Sequence, residues 1–162
     1  MIILHLDMAL LQDVNEYWNH SITFILDRDY AQTNVVFYNE CIGPWELERR
    51  GKGDCEDYTF AKYFMLKELG FDPHNLRMLT SFSDEHSNHA TLLVLLDGEL
   101  YILDNETDEI VTANNFPLQR GPHTQNEFGY WAHSMQLPNS EERRLNIYYY
   151  SKRQPKKKRE IK

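Results

Sequence analysis

Three residues in this chain of 162 have the types that covalent acyl chemistry requires: Cys55, His89 and Asp104. A thiol attacks a carbonyl as its thiolate, a form favoured at a helix start, where backbone N–H groups and the helix dipole face the sulfur. A neighbouring imidazole would take the thiol proton and, once charged, stabilise the thiolate. A carboxylate beside the imidazole would hold its tautomer, and N–H groups at the same helix start would offer an oxyanion site. Each residue also has a plainer reading: Cys55 as a small buried hydrophobe, His89 as a strand-start side chain, and Asp104-Asn105 as turn chemistry. The other cysteine, Cys41, has no helix start beside it and reads as structural.

The surrounding elements must bring these three together. Asp54 to Leu69 is the best-marked helix: Gly53-Asp54 opens it, Asp57 stands three residues on as in a capping box, and Gly70 closes it at C′. Cys55 therefore falls in its first turn. Its apolar face is read through Tyr58, Ala61, Met65 and Leu69, with Phe64 adjoining. Downstream, His89 to Leu96, the Asp97-Gly98 turn and Glu99 to Asn105 read as a hairpin. A two- or four-residue loop centred on Asp97-Gly98 pairs His89 with Glu106 and Asp104 with Thr91. His89 and Asp104 are then diagonal neighbours on one face, with Cα atoms roughly 7–8 Å apart. A three- or five-residue loop would put them on opposite faces.

Asp7 to Leu26 carries Leu11, Val14, Trp18, Ile22 and Ile25 at helical spacing, so one amphipathic helix is predicted there. Asp27 to Lys52 holds a short apolar piece, Val35 to Tyr38, then Gly43-Pro44-Trp45 and the charged run Glu46 to Arg50, which together predict an irregular segment with one helical turn. Leu76 to Phe82 reads as a strand and Ser83 to Asn88 as a polar loop. Residues 106 to 140 are turn-rich with isolated aromatics, and Leu145 to Tyr150 reads as a last strand. Helix, helix, then strands is the order of an α+β domain whose helices pack on an antiparallel sheet.

Composition narrows the class. No apolar run approaches the ~18 residues of a membrane span, which excludes an integral membrane protein, and two cysteines cannot make a disulfide-dense scaffold. The amino terminus lacks a basic n-region and a small-residue cleavage pattern, so no export signal is expected from the sequence as written. The net charge of −8 is uneven, since Ser151 to Lys162 holds seven Lys or Arg against one Glu. Residues 1 to 150 are read as one domain and 151 to 162 as a basic, disordered tail. With the body at −14, nucleic-acid binding through Lys156 to Arg159 is not expected.

Three carboxylates, Asp54, Glu56 and Asp57, crowd a residue whose chemistry needs a negative charge. Either Asp54 and Asp57 cap the helix while Glu56 is solvated, or Asp54 and Glu56 help bind a hard cation such as Ca²⁺ that removes the repulsion.

Gly51-Lys52-Gly53-Asp54-Cys55-Glu56-Asp57-Tyr58, Ala61-Lys62-Tyr63, Leu69-Gly70, Leu76-Arg77, His89 and Leu103-Asp104-Asn105 together resemble the bacterial transglutaminase-like cysteine peptidases, the LapG-type periplasmic proteases. Val14-Asn15, Pro44, Glu46 and Gly129-Tyr130-Trp131 extend the resemblance over about Leu10 to Trp131. It implies a papain/transglutaminase-like fold, a Cys55–His89–Asp104 triad, and calcium dependence with Asp54 and Glu56 as ligands. It also implies a bacterial surface adhesin as protein substrate, a cyclic di-GMP-responsive membrane receptor as partner, and a periplasmic location. The function read from the residues and the resemblance together is a cysteine endopeptidase. Transglutaminase or amidase acyl transfer by the same triad, and a non-catalytic calcium-binding regulatory module of the same fold, are the alternatives.

Overall fold

A computed structural model of the chain describes residues 5–26, 44–82, 89–116 and 120–132. The readings made for Val35 to Tyr38, Cys41, Ser83 to Asn88, Leu145 to Tyr150 and the 151–162 tail lie outside the described residues.

Helix α1 (Met8–Ser21) starts where Asp7 accepts a hydrogen bond from the Leu10 N–H at 3.1 Å, and it buries Leu11, Val14 and Trp18 as the spacing predicts. It stops at Ser21 rather than Leu26. The β-branched Ile22, Thr23 and Ile25 favour extended backbone, and strand β1 (Thr23–Phe24) pairs in parallel with β2 (Lys52–Gly53). The Thr23 and Ile25 N–H groups donate to the Gly51 and Gly53 carbonyls, both at 2.9 Å. That pairing ties the exit of α1 to the residues just ahead of Cys55. Between them lies the short α2 (Pro44–Arg50), which buries Leu47.

Helix α3 (Cys55–Glu68) has the cap that its sequence predicts. At its far end Gly70 sits at φ +104, its N–H donates to the Lys67 carbonyl, and the Phe71 N–H donates to the Leu66 carbonyl. This is a Schellman closure, and a side chain at Gly70 would be strained there. The face is where expectation and structure part. Tyr58, Ala61, Lys62, Tyr63 and Leu66 are buried, Met65 and Leu69 are half-buried, and Phe64 is exposed. The helix is covered on two sides, by α1 and by the sheet, so a single apolar stripe does not describe it.

The sheet is antiparallel throughout, in the order β6-β5-β4-β3-β7-β8. Its strands are β3 (Leu76–Phe82), β4 (His89–Leu96), β5 (Glu99–Leu103), β6 (Val111–Thr112), β7 (Arg120–Asn126) and β8 (Gly129–Ala132). Leu76, Leu92, Val94 and Leu103 join Leu11, Trp18, Tyr58 and Leu66 in the core under the helices. Leu79, Leu93, Leu100, Ile102 and Ala113 form a second cluster. The alternation of Leu92, Leu93 and Val94 between the two clusters is that of a strand buried on both faces. The α+β architecture, helices on an antiparallel sheet, is therefore as the element order predicts. The β7–β8 ribbon was not legible in 106–140. Gly121-Pro122 breaks β propensity in β7, and the register of β7 against β3 shifts between Thr80 and Phe82, where the proline has no paired residue. No helix among the described residues is long and apolar enough to cross a membrane.

Candidate active site

The start of α3 is built tightly. A Cβ on Gly53 would lie 2.7 Å from Leu47 Cδ1 and 2.8 Å from Asp57 Cβ, so only glycine fits between α2 and the first turn. Asp54 Oδ1 accepts from the N–H groups of Glu56 (3.0 Å) and Asp57 (3.2 Å), and Asp57 Oδ2 accepts from the Asp54 N–H at 3.1 Å. The capping reading of these acids thus accounts for Asp54 and Asp57, while Glu56 is exposed. Thr59 Oγ1 donates to the Cys55 carbonyl at 2.8 Å, closing the turn. The expectation that several helix-start N–H groups face an oxyanion is narrowed. Asp54 consumes two of them, and among the described residues no acceptor is bonded to the Cys55 N–H.

Cys55 is a free, half-buried thiol, and the Ala90 N–H donates to its sulfur at 3.4 Å. β5 ends at Leu103, so no β5 residue pairs with Ala90, whose amide is given to Sγ. The hairpin that carries Ala90 has the two-residue loop of the sequence reading. Asp97 (φ 50) and Gly98 (φ 78) both sit in the left-handed region, as a type I′ turn requires. The register runs from Leu96↔Glu99 to Leu92↔Leu103. Continued past the last pair, it sets Thr91 opposite Asp104 and His89 opposite Glu106. His89 Nε2 and Asp104 Oδ1 are 2.8 Å apart, and the Cys55 side chain is close enough to the imidazole to raise its pKa.

Burial opposes charging the His89 ring, but its hydrogen bonds to Asp104 and Cys55 and the charges of both outweigh that and push its pKa up to about 10. Burial likewise works against the Asp104 carboxylate. The His89 bond and charge, the Glu106 N–H (3.1 Å) and the Lys62 ammonium prevail and hold its pKa below the usual range. The raised pKa favours the charged form of the imidazole.

Two groups could hold a metal. His89, Asp104 and Glu106 offer ligand atoms within 4.8 Å of one another, but two of these already form the imidazole–carboxylate pair. Asp54 and Glu56 supply hard carboxylate oxygens, yet one Asp54 oxygen is committed to the helix cap, and among the described residues no third His, Cys, Asp or Glu gathers with them. Ca²⁺ usually takes ~6–8 oxygens, so these two are at most part of a shell.

Polar residues of α1 and α3 that the sequence reading did not place in the site also converge here. Gln12, Asn15 and Asn19 of α1 donate to the main chain of residues 104–108, and Lys62 donates to Asn19. Their spacing on one helical stripe, interleaved with Leu11 and Trp18, was the available signal.

Comparison with known proteins finds a match to the family described as bacterial transglutaminase-like cysteine proteinase (BTLCP) over residues 3–131. No curated protein sequence matches. Among solved structures, the chain is similar to calcium-bound Legionella pneumophila LapG, at 25% identity and TM-score 0.64, covering 83% of this chain and 76% of that one. A second L. pneumophila LapG structure gives 26% identity and TM-score 0.62, covering 90% and 77%. An EGTA-treated LapG gives 24% and 0.64, covering 88% and 78%.

Proposed function

The chain belongs to the bacterial transglutaminase-like cysteine proteinase family, and from that premise we propose that it is a cysteine endopeptidase with Cys55 as nucleophile, His89 as base and Asp104 as orienter. The observation that supports this most is the His89–Asp104 hydrogen bond set beside Cys55 at a helix start. In this reading the Cys55 proton already rests on His89 before substrate binds, as the raised imidazole pKa favours, and the thiolate attacks a peptide carbonyl. The developing oxyanion lies against the Cys55 N–H. His89 then passes its proton to the leaving amine, leaving an acyl thioester. Water, deprotonated by His89, attacks the thioester and releases the carboxylate and the thiol.

The substrate in this reading is a protein, a bacterial surface adhesin by family resemblance, and a cyclic di-GMP-responsive membrane receptor is the regulatory partner that the same resemblance suggests. Calcium is the ion proposed for Asp54 and Glu56. The support is the carboxylate chemistry of those side chains and the existence of LapG in a calcium-bound structure. Bound there, it would neutralise the acidic flank of the nucleophile.

The test is the rate of Cys55 alkylation by iodoacetamide against pH, in the parent and in His89→Ala, with Ca²⁺ and with EGTA. Rapid labelling well below the ~8.5 pKa of a free thiol, slowed in His89→Ala, is expected. A calcium effect on that rate extends the reading to Asp54 and Glu56. Labelling that ignores His89 sinks the nucleophile assignment, and accumulation of amine-linked product in place of cleaved substrate converts the protease to an acyltransferase.

A further inference from the structure

Lys62 lies seven residues beyond Cys55 on α3 and is 1% exposed. Burying an ammonium is costly, and no aliphatic packing role calls for one. Burial draws its pKa down to about 7 against the opposing pull of Asp104 and Asp108, the charged groups that face it. The Tyr58 ring lies on its other side, 5.9 Å from Nζ. Its hydrogen bond runs to Asn19 Oδ1 at 2.8 Å. The other end of that amide, Asn19 Nδ2, donates to the Asp104 carbonyl (2.9 Å), the Thr107 carbonyl (3.0 Å) and Asp108 Oδ1 (3.1 Å).

The chemistry of these partners leaves Asn19 one orientation. An ammonium only donates, so the amide oxygen must face Lys62. Carbonyl and carboxylate oxygens only accept, so the amide nitrogen must face residues 104–108. A flipped amide would set donor against donor on one side and acceptor against three acceptors on the other. β5 has ended at Leu103, so the ladder no longer fixes the backbone of Asp104. The polar face of α1 fixes it instead.

We propose that Lys62 and Asn19 are positioning residues for Asp104: the buried ammonium sets the direction of the Asn19 amide, and the amide holds the Asp104 main chain where its carboxylate meets His89. This rests on the reading of Asp104 as the orienter of His89.

The test uses the full chain and two uncharged substitutions, Lys62→Met and Asn19→Leu, with thermal melting to confirm folding. The readouts are the NMR titration of the His89 ring, with its Asp104-bonded N–H proton, and the pH profile of Cys55 alkylation. Loss of the Lys62 charge alone would move the His89 titration upward. A loosened Asp104 moves it downward, so the direction separates the two. In both variants we expect His89 to titrate nearer its ordinary value, its bonded proton to broaden, and alkylation at neutral pH to slow by roughly tenfold or more. Folded variants with parental or upward-shifted His89 titration overturn the proposal, whatever their melting temperatures. If Lys62→Met does not fold, Asn19→Leu decides by the same readouts. If alkylation in the parent ignores His89, the protease reading fails, and the His89 titration still judges the brace.

Discussion

The two ends of the sheet are secured in opposite ways. At the open end of the β4–β5 hairpin, Asp104 and the 104–108 segment are held by buried or half-buried donors from α1 and α3, each with chemically defined partners. At the other edge, the β7–β8 turn is held mostly by groups that face solvent, with the buried Tyr63 as the exception. Lys67 and Tyr63 reach Glu127, and the His74 ring stacks on Phe128 with centroids 3.9 Å apart. Interactions of the first kind fix geometry to within a hydrogen bond's tolerance, because a buried polar group has no water to fall back on. Those of the second kind exchange with water at little cost. The contrast teaches where this fold spends its buried polar side chains: on the segment that carries Asp104.

The largest expected difference between the two ends is in reactivity. His89→Ala should lower proteolysis by at least about a thousandfold, measured as kcat/KM on a cleavable protein substrate, with the fold intact by circular dichroism. Asp104→Asn should cost roughly a hundredfold or more and return the His89 titration toward its ordinary value. Parental activity in either variant would remove the site end's special status. Gly53→Ala should destabilise the chain by about 1–3 kcal/mol in a denaturant melt, since the new Cβ meets Leu47 and Asp57 below 3 Å.

The pH dependence of stability is smaller and its sign follows from the raised pKa of His89. The stabilisation from its pairing with Asp104 and Cys55 is fully present below the ordinary imidazole pKa of ~6.5 and is lost as pH rises toward about 10. Asp104, whose pKa is lowered, contributes stability above its ordinary value and loses it as pH falls further. Denaturant midpoints measured from pH 6 to 10 should fall in the parent more than in His89→Ala. The smallest effect belongs to the far edge: Lys67→Ala, at an exposed pair, should leave the melting temperature within a degree or so, and a large drop would erase the contrast.

Much of this was readable from local pattern. The Asp54 cap, the Gly70 closure, the Asp97-Gly98 turn and the His89–Asp104 register each depend on residues close in sequence, so composition and spacing decide them. Three features were not. The burial of Lys62, which lies off the apolar face read from the spacing, arises because α1 covers that side of α3. The β7–β8 ribbon carries Gly121-Pro122, which no propensity argument would place in a strand, and exists because β3 offers it an edge. The end of α1 at Ser21 depends on a parallel pairing with Lys52–Gly53, some thirty residues away.

By itself the sequence determined that Cys55 stands at a helix start and, given a two-residue turn at Asp97-Gly98, that His89 and Asp104 share a face, because caps and tight turns are short-range geometry. Only the tertiary structure decided that these halves meet, with the Ala90 N–H and His89 against Cys55 and α1 braced on residues 104–108. Contact between a helix and a hairpin depends on how their apolar faces dock, and that docking is set by the whole core rather than by any segment of it.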